Sequence, residues 1–135
     1  MKYSDFIFGS VEVEVKGRAY DLHNSFDFKK LVYDVEGRNV ELVWAKNAYA
    51  VKEEPAEILI EFRKVTYFSA EGRDSEMPFS EDDCLASVSY VSEEEAMEES
   101  YYVDDPTEDL HCVLEFQSGF KVRLFSSEVR CAIQA

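Results

Sequence analysis

Apolar and polar residues alternate along much of this chain, a pattern that buries one face of a β-strand and exposes the other. Val11, Val13 and Val15 alternate with charged residues until Gly17. The same alternation returns over residues 28–35. Both stretches are therefore predicted to be half-buried strands.

A hairpin is predicted where the second of these strands ends. Gly37 and Asn39 fall in a short polar stretch that is typical of a turn. The alternation then resumes at Val40, Leu42 and Trp44. Two alternating runs with so few turn-forming residues between them favour antiparallel pairing.

A shift in the alternation marks the middle of the chain. The apolar residues keep one phase from Ile58 to Phe62 and take the other phase at Val65 and Tyr67. If this is a single strand, one extra residue has to be accommodated in it. The shift then predicts a β-bulge near Arg63 and Lys64.

Three more strands are predicted towards the C-terminus, over residues 110–116, 120–124 and 129–133, with Ser118 and Gly119 in the first turn. Their connections are too short for a crossover helix, so we interpret them as an antiparallel meander. With the earlier strands they predict a single, mainly antiparallel sheet of about six to seven strands.

The segment between residues 80 and 100 departs from this pattern. Ser80 and Ser92 are each followed three residues later by an acid, which is the spacing of a helix-capping box. One or two short helices are predicted here. Residues 84–91 also alternate, so helix and strand both stay open for them. The predicted fold class is α+β, rich in β-strands, with residues 1–135 in a single domain.

The charge of the chain is concentrated in one part of it. The 135 residues include 29 acids and 14 bases, which gives a formal net charge of -15. Residues 74–120 contain 15 of the acids and no lysine or arginine, while the rest of the chain carries 14 residues of each sign. So acidic a protein is not suited to a nucleic-acid backbone or to an anionic membrane surface, and neither is expected as a partner.

Cellular location is predicted from three features that the sequence lacks: a disulfide framework, a secretory signal and a membrane-spanning segment. The three cysteines are an odd number, which argues against a closed disulfide framework. The first apolar residues are preceded by Asp5 and interrupted by Gly9, so no secretory signal is predicted. No apolar run is long enough to span a bilayer. We expect a cytoplasmic protein.

Few residues are suited to catalysis. His23 could act as a base paired with Asp21, but a loop histidine is the simpler interpretation of its turn-like surroundings. His111 and Cys112 are neighbours in a strand and point to opposite faces. A Cys–His pair from distant parts of the chain stays open. Metal-binding spacings and phosphate-binding glycine loops are absent, so we expect no metal, no cofactor and no enzymatic activity.

The densest run of acids is the candidate binding site. Nine acids fall within 17 residues, with two tyrosines among them. Carboxylates attract a basic protein, and tyrosine adds apolar area with a polar tip. A solvated face that serves solubility alone is the alternative. The predicted partner-binding residues are Glu93, Glu94, Glu95, Glu98, Glu99, Tyr101, Tyr102, Asp104, Asp105, Glu108 and Asp109.

Short phrases of the chain resemble those of small bacterial toxin-immunity proteins, including the contact-dependent growth-inhibition type. They are residues 22–25 (Leu-His-Asn-Ser), 60–65 (Ile-Glu-Phe-Arg-Lys-Val) and 114–119 (Leu-Glu-Phe-Gln-Ser-Gly). The resemblance implies tight, stoichiometric neutralisation of one cognate toxin, often a nuclease. It assigns no role to any single residue.

We therefore expect an immunity-type protein that binds a basic toxin, a nuclease domain, and covers its active cleft with an acidic face. The alternative is an acidic polypeptide-binding or secretion chaperone module. Such a chaperone needs a helix near its N-terminus, where the alternation predicts a strand instead. The oligomeric state is left open, because an exposed edge strand could also pair two copies.

Overall fold

The computed structural model describes residues 1–135 and contains twelve strands in three sheets, without an α-helix. The strands are β1 (Lys2–Ser4), β2 (Phe6–Phe8), β3 (Glu12–Val15), β4 (Arg18–Asp21), β5 (Phe26–Asp34), β6 (Asn39–Lys46), β7 (Glu57–Arg63), β8 (Tyr67–Glu71), β9 (Leu85–Val91), β10 (His111–Phe116), β11 (Lys121–Phe125) and β12 (Glu128–Gln134).

The largest sheet has five strands in the order β1-β12-β7-β6-β5, and its one parallel pair is β1 with β12. The predicted hairpin is confirmed as β5 and β6. The carboxylate of Asp34 closes its turn, because Oδ1 accepts a hydrogen bond from the Gly37 backbone N–H at 3.1 Å. Local turn chemistry and alternation therefore suffice to define this unit.

Two smaller antiparallel sheets complete the fold. One has four strands in the order β8-β11-β10-β9, and the other has three in the order β2-β3-β4. Twenty-four buried side chains from all three sheets form one hydrophobic cluster. The rings of Phe28 on β5 and Phe116 on β10 lie 4.6 Å apart between centroids, so the two larger sheets meet across this core.

The prediction of a single sheet is wrong. Strand β7 ends at Arg63, and Lys64 takes a φ of 56° where the chain leaves the five-stranded sheet. Val65 is buried at this crossing, and its backbone N–H donates to the carbonyl oxygen of Arg38 at 2.8 Å. The shift of apolar phase marks a change of sheet, and the predicted bulge inside one strand is wrong.

The predicted C-terminal meander is confirmed only in its first half. Strands β10 and β11 form an antiparallel hairpin, but β12 crosses to the five-stranded sheet and lies between β1 and β7. Ser126 is buried at this second crossing, and its hydroxyl donates to the carbonyl oxygen of Glu128 at 3.0 Å. Alternation specifies which face of a strand is buried, but it does not name the neighbouring strand.

The helical part of the α+β prediction is wrong, and the β-rich part is confirmed. The predicted helices are two short 3-10 turns, Phe79–Asp83 and Met97–Glu99, and no side chain caps either one. The hydroxyl of Ser92 donates to the side chain of Glu95 rather than to a backbone group. Residues 84–91 could be helix or strand from the sequence, and in the structure Leu85–Val91 form strand β9, which pairs with β10 along its length. No helix in the structure has the length and apolar character needed to cross a bilayer.

Candidate functional site

The eleven predicted site residues all lie in one long connection between β9 and β10, residues 92–110, which we call the acidic loop. Ten of them are exposed, and Glu95 is half-buried. Tyr101 and Tyr102 keep 51% and 46% of their surface exposed. The predicted residues therefore share one connection of the fold, and all but Glu95 are exposed there.

A buried arginine holds the first part of the acidic loop. Arg123 projects from β11 and is only 5% exposed. Its guanidinium donates to the carbonyl oxygens of Glu95 at 2.7 Å, Ser92 at 3.1 Å and Glu93 at 3.2 Å. Its Nε–H donates to Nδ1 of His111 at 3.0 Å. The planar donor set of one arginine thus ties three loop carbonyls to the four-stranded sheet.

The middle of the acidic loop runs along the edge of β9. Tyr101 and Tyr90 exchange two backbone hydrogen bonds of 2.8 and 2.9 Å. Met97 is buried in a small second cluster with Val91 and Val113. These contacts order the loop backbone while most of the acidic side chains stay in solvent.

None of the nine carboxylates of the acidic loop takes part in an ion pair. The structure has five ion pairs, and other acids form all of them. Arg123 and the amino group of Met1 both contact the loop, but they donate to backbone carbonyl oxygens, the amino group to that of Glu108. The cations that anchor the loop therefore leave its carboxylates without a basic partner.

Carboxylates of the acidic loop accept hydrogen bonds from side chains of the same loop. The bond from the Ser92 hydroxyl lowers the pKa of Glu95. The hydroxyl of Tyr102 donates to Oδ1 of Asp104 at 2.8 Å, which raises the pKa of Tyr102. The hydrogen bond from Ser92 therefore favours the charged form of the Glu95 carboxylate.

Comparison with known proteins gives a plain result. No protein-family model, no curated protein and no solved structure matches this chain. The likeness to immunity proteins thus rests on the short phrases alone, and function has to be inferred from the geometry of the site.

The structure brings one histidine and one cysteine together. Sγ of Cys84 lies 3.4 Å from Nδ1 of His23. That nitrogen donates to the carbonyl oxygen of Leu85 at 2.7 Å, so it has no lone pair free to accept the thiol proton. The carboxylate of Asp21 accepts from the backbone N–H groups of His23 and Asn24, which shapes the turn, and makes no hydrogen bond to the imidazole. The pair is therefore not arranged as a nucleophile with its base.

Cys84 is expected to react slowly with alkylating reagents at neutral pH. Burial, together with the nearby carboxylates of Glu81 and Asp83, raises the pKa of its thiol. Its thiolate fraction is then smaller than that of a free thiol with a pKa of about 8.5. In a Cys112→Ser, Cys131→Ser background, iodoacetamide should modify the protein more slowly than glutathione at neutral pH. A rate at or above that of glutathione would contradict this assignment.

His111 lies beneath the acidic loop as a neutral acceptor. Its ring stacks on Phe125 with 4.8 Å between centroids, and its Nδ1 accepts the hydrogen bond from Arg123. Burial, and then the adjacent guanidinium, lower the pKa of His111 to about 4. Protonation would put a second positive charge beside Arg123 and remove the acceptor.

Stability is expected to fall with acidification through His111. In the unfolded chain its pKa is about 6.5, and in the folded protein it is about 4, so between these values the unfolded state binds the extra proton. The free energy of unfolding should therefore fall by up to about 1.4 kcal/mol per pH unit in that window. Urea unfolding as a function of pH measures this decrease.

The matched variant for this measurement is His111→Asn, whose Oδ1 can still accept from Arg123 but does not titrate. The difference in stability between wild type and variant should shrink as the pH falls. The contributions of the other titratable groups are the same in both proteins, so they cancel in the difference in the free energy of unfolding. A difference that is constant from neutral pH to about pH 5 would contradict the assignment of a depressed pKa to His111.

Arg123 is not among the predicted site residues. It lies between Val122 and Leu124, both buried in the core, and so occupies the opposite face of β11. A charged residue in that phase is the usual sign of a solvent-facing position. Nothing in the sequence signals that a loop 30 residues away covers it.

A large cleft lies elsewhere on the molecule. It has a volume of about 860 Å³, and Lys16, Arg18 and Arg130 lie among its lining residues. The two arginines are already paired, with Glu54 and Glu128. No group of three or more His, Cys, Asp or Glu side chains is placed to hold a metal ion. The acidic loop therefore carries more unpaired charged side chains than this cleft.

Proposed function

We propose that this chain is an immunity-type inhibitor that binds a basic toxin, a nuclease domain, and covers its active cleft with the acidic loop. The observation that carries the proposal is an anchored loop backbone combined with nine unpaired carboxylates. Like charges at this density repel one another and raise the free energy of the folded protein. Charge needed for solubility alone could be spread over the surface, where both signs alternate elsewhere in this chain.

An anchored acidic loop suits rapid and tight association. Its order before binding reduces the entropy lost on binding. Its field attracts a basic surface, and such steering raises association rates roughly 10 to 1,000-fold at low salt. The half-exposed rings of Tyr101 and Tyr102 offer apolar contact of the kind that dominates interface energies.

A nuclease cleft is a natural complement to this surface, because it is lined with the lysine and arginine side chains that bind phosphates. An inhibitor that covers the cleft acts by occlusion. It needs no catalytic group and no cofactor of its own, and it would act in the cytoplasm beside the target of the toxin.

Charge reversal within the acidic loop should weaken partner binding roughly tenfold or more. The variant carries Glu98→Lys, Glu99→Lys, Asp104→Lys and Asp105→Lys. The partner for this test is a basic C-terminal domain of a large secreted protein, to be sought in the reading frame next to the gene for this chain. Calorimetry measures the affinity, and a nuclease assay measures loss of inhibition.

A matched control separates the acidic loop from net charge. Glu14, Glu36, Glu53 and Glu71 are exposed, lie outside the loop and form no ion pair. Reversing these four changes the net charge equally and should alter affinity only about twofold at physiological salt. Unchanged binding after loop reversal would show that the site is elsewhere. If the neighbouring reading frame encodes no basic domain, that result would contradict the proposal that the partner is a toxin.

No observation in the structure favours the chaperone alternative. Residues near the N-terminus form strands β1 to β4, where such a module would need a helix.

A further inference from the structure

Strand β5 leaves one edge of the five-stranded sheet uncovered. It pairs only with β6. In its C-terminal half, Val32 and Tyr33 keep 46% and 41% of their surface exposed, and Lys30 and Asp34 are exposed as well. An uncovered edge presents backbone N–H and C=O groups that a further strand can pair with.

The N-terminal half of β5 is less open to a partner. The register with β6 shifts between Phe28 and Lys30, which is a bulge. The 3-10 turn that contains Asp82 and Asp83 lies beside Phe28 and Lys29, and together they line one cavity. The edge that remains free is therefore the five-residue stretch Lys30–Asp34.

This free stretch is complementary to itself. In an antiparallel pair of two copies centred on Val32, Lys30 lies opposite Asp34 of the second copy, and Asp34 lies opposite Lys30. Val32 meets Val32 on the two-fold axis, on the same face as these charges. On the other face Leu31 lies opposite Tyr33. Opposite charges and apolar side chains directly across an antiparallel pair stabilise it.

The geometry points to a homodimer in which the β5 strands of two copies pair antiparallel about Val32 and join two five-stranded sheets into one. The acidic loops do not oppose this pairing by direct contact. Tyr33 on β5 packs against Phe68 on β8 with 5.2 Å between ring centroids. The acidic loop is attached to β9, at the opposite end of the four-stranded sheet from β8. Both loops therefore stay free in the dimer.

Two single charge variants test this register. Lys30→Glu places two acids opposite each other, and Asp34→Lys places two lysines opposite each other. Each variant alone should dimerise roughly tenfold more weakly than wild type, while an equimolar mixture should regain the wild-type affinity, because the heterodimer restores both ion pairs. Sedimentation velocity over a range of protein concentrations at physiological salt measures all four samples.

The same variants exclude a general charge effect. Asp34→Lys lowers the net negative charge, so it would dimerise more tightly if overall repulsion governed association. That result would overturn the proposal, as would a wild-type protein that stays monomeric at every concentration or a mixture no tighter than its components.

Asp34→Lys also removes the turn contact between Asp34 and Gly37, so a further variant is needed that does not disturb the turn. Val32→Lys leaves this contact intact, places like charges on the axis and should also weaken the dimer. Its matched control is Val51→Lys, at a residue that is 61% exposed and lies between β6 and β7. The control should dimerise like wild type, and equal weakening by both lysines would overturn the assignment of the interface to β5.

Discussion

Replacing Arg123 with methionine is expected to lower the free energy of unfolding by about 3 kcal/mol. Methionine retains much of the apolar stem but none of the donors. The carbonyl oxygens of Ser92, Glu93 and Glu95 would lose a charged donor, and Nδ1 of His111 would lose its partner. Buried polar groups left without a partner each cost about 1–3 kcal/mol, reduced where water can enter.

The effect of Arg123→Met should be centred on the acidic loop. Urea unfolding measures the total loss, and hydrogen exchange shows where it occurs, with faster exchange expected for loop amides such as those of Glu95 and Ser100, which donate to backbone carbonyls. A loop that has lost its order also pays more entropy on binding, so affinity for the basic partner should fall as well.

Arg130→Met is the matched control for Arg123→Met. The side chain of Arg130 is 51% exposed and pairs with Glu128 at the surface. Its loss should change stability by no more than about 0.5 kcal/mol, as is usual for surface pairs. Equal effects of the two replacements, or unchanged exchange in the acidic loop, would show that Arg123 does not anchor it.

Truncation of Phe62 is expected to have the larger effect on the whole molecule. Phe62 lies on β7 in the centre of the five-stranded sheet and is fully buried. Phe62→Ala removes most of an aromatic side chain from a packed core, which typically costs about 3–5 kcal/mol. Since one cluster of buried residues includes all three sheets, the loss should be felt in each of them.

Two local probes turn this variant into a test of the predicted single domain. The fluorescence of Trp44 reports on the five-stranded sheet, and hydrogen exchange at Leu114 reports on the four-stranded sheet. Both should show the same loss of stability if the chain unfolds as one unit. A loss at Trp44 without a loss at Leu114 would indicate two units. Tyr49→Ala, at a residue that is 89% exposed, is the control and should change neither probe.

The parts of the fold that sequence predicts are those with local causes. Gly119 takes a φ of 88° between β10 and β11, a backbone conformation that glycine adopts readily, and the hairpin around it is as predicted. The hairpin turn after Asp34 is also as predicted, and a hydrogen bond from the Gly37 backbone N–H to the Asp34 carboxylate closes it. Ten of the eleven predicted site residues are also exposed, because they are too polar to be buried.

The parts that sequence does not predict depend on contacts between distant residues. Val65 and Ser126 mark the two points where the chain crosses between the five-stranded and the four-stranded sheet, yet neither carries a signal that distinguishes a crossing from a bulge or a turn. The contact between His23 and Cys84 joins residues 61 positions apart, and the sequence alone does not decide whether a distant cysteine and histidine meet. The helices predicted after Ser80 and Ser92 do not form. Strand β9 pairs with β10 instead, and Tyr101 of the acidic loop pairs with Tyr90 at the edge of β9.

By itself, the sequence determined which residues of strands such as β3 and β7 face inward and where the negative charge is gathered, because the period of two and the local composition are properties of neighbouring residues. Only the tertiary structure decided which strands pair and what lies beneath the acidic loop. Pairing depends on closing long stretches of chain around a shared core, and alternation is compatible with several partners. Arg123 shows the consequence: its position predicts a solvated charge, and the fold makes it the buried anchor of the acidic loop.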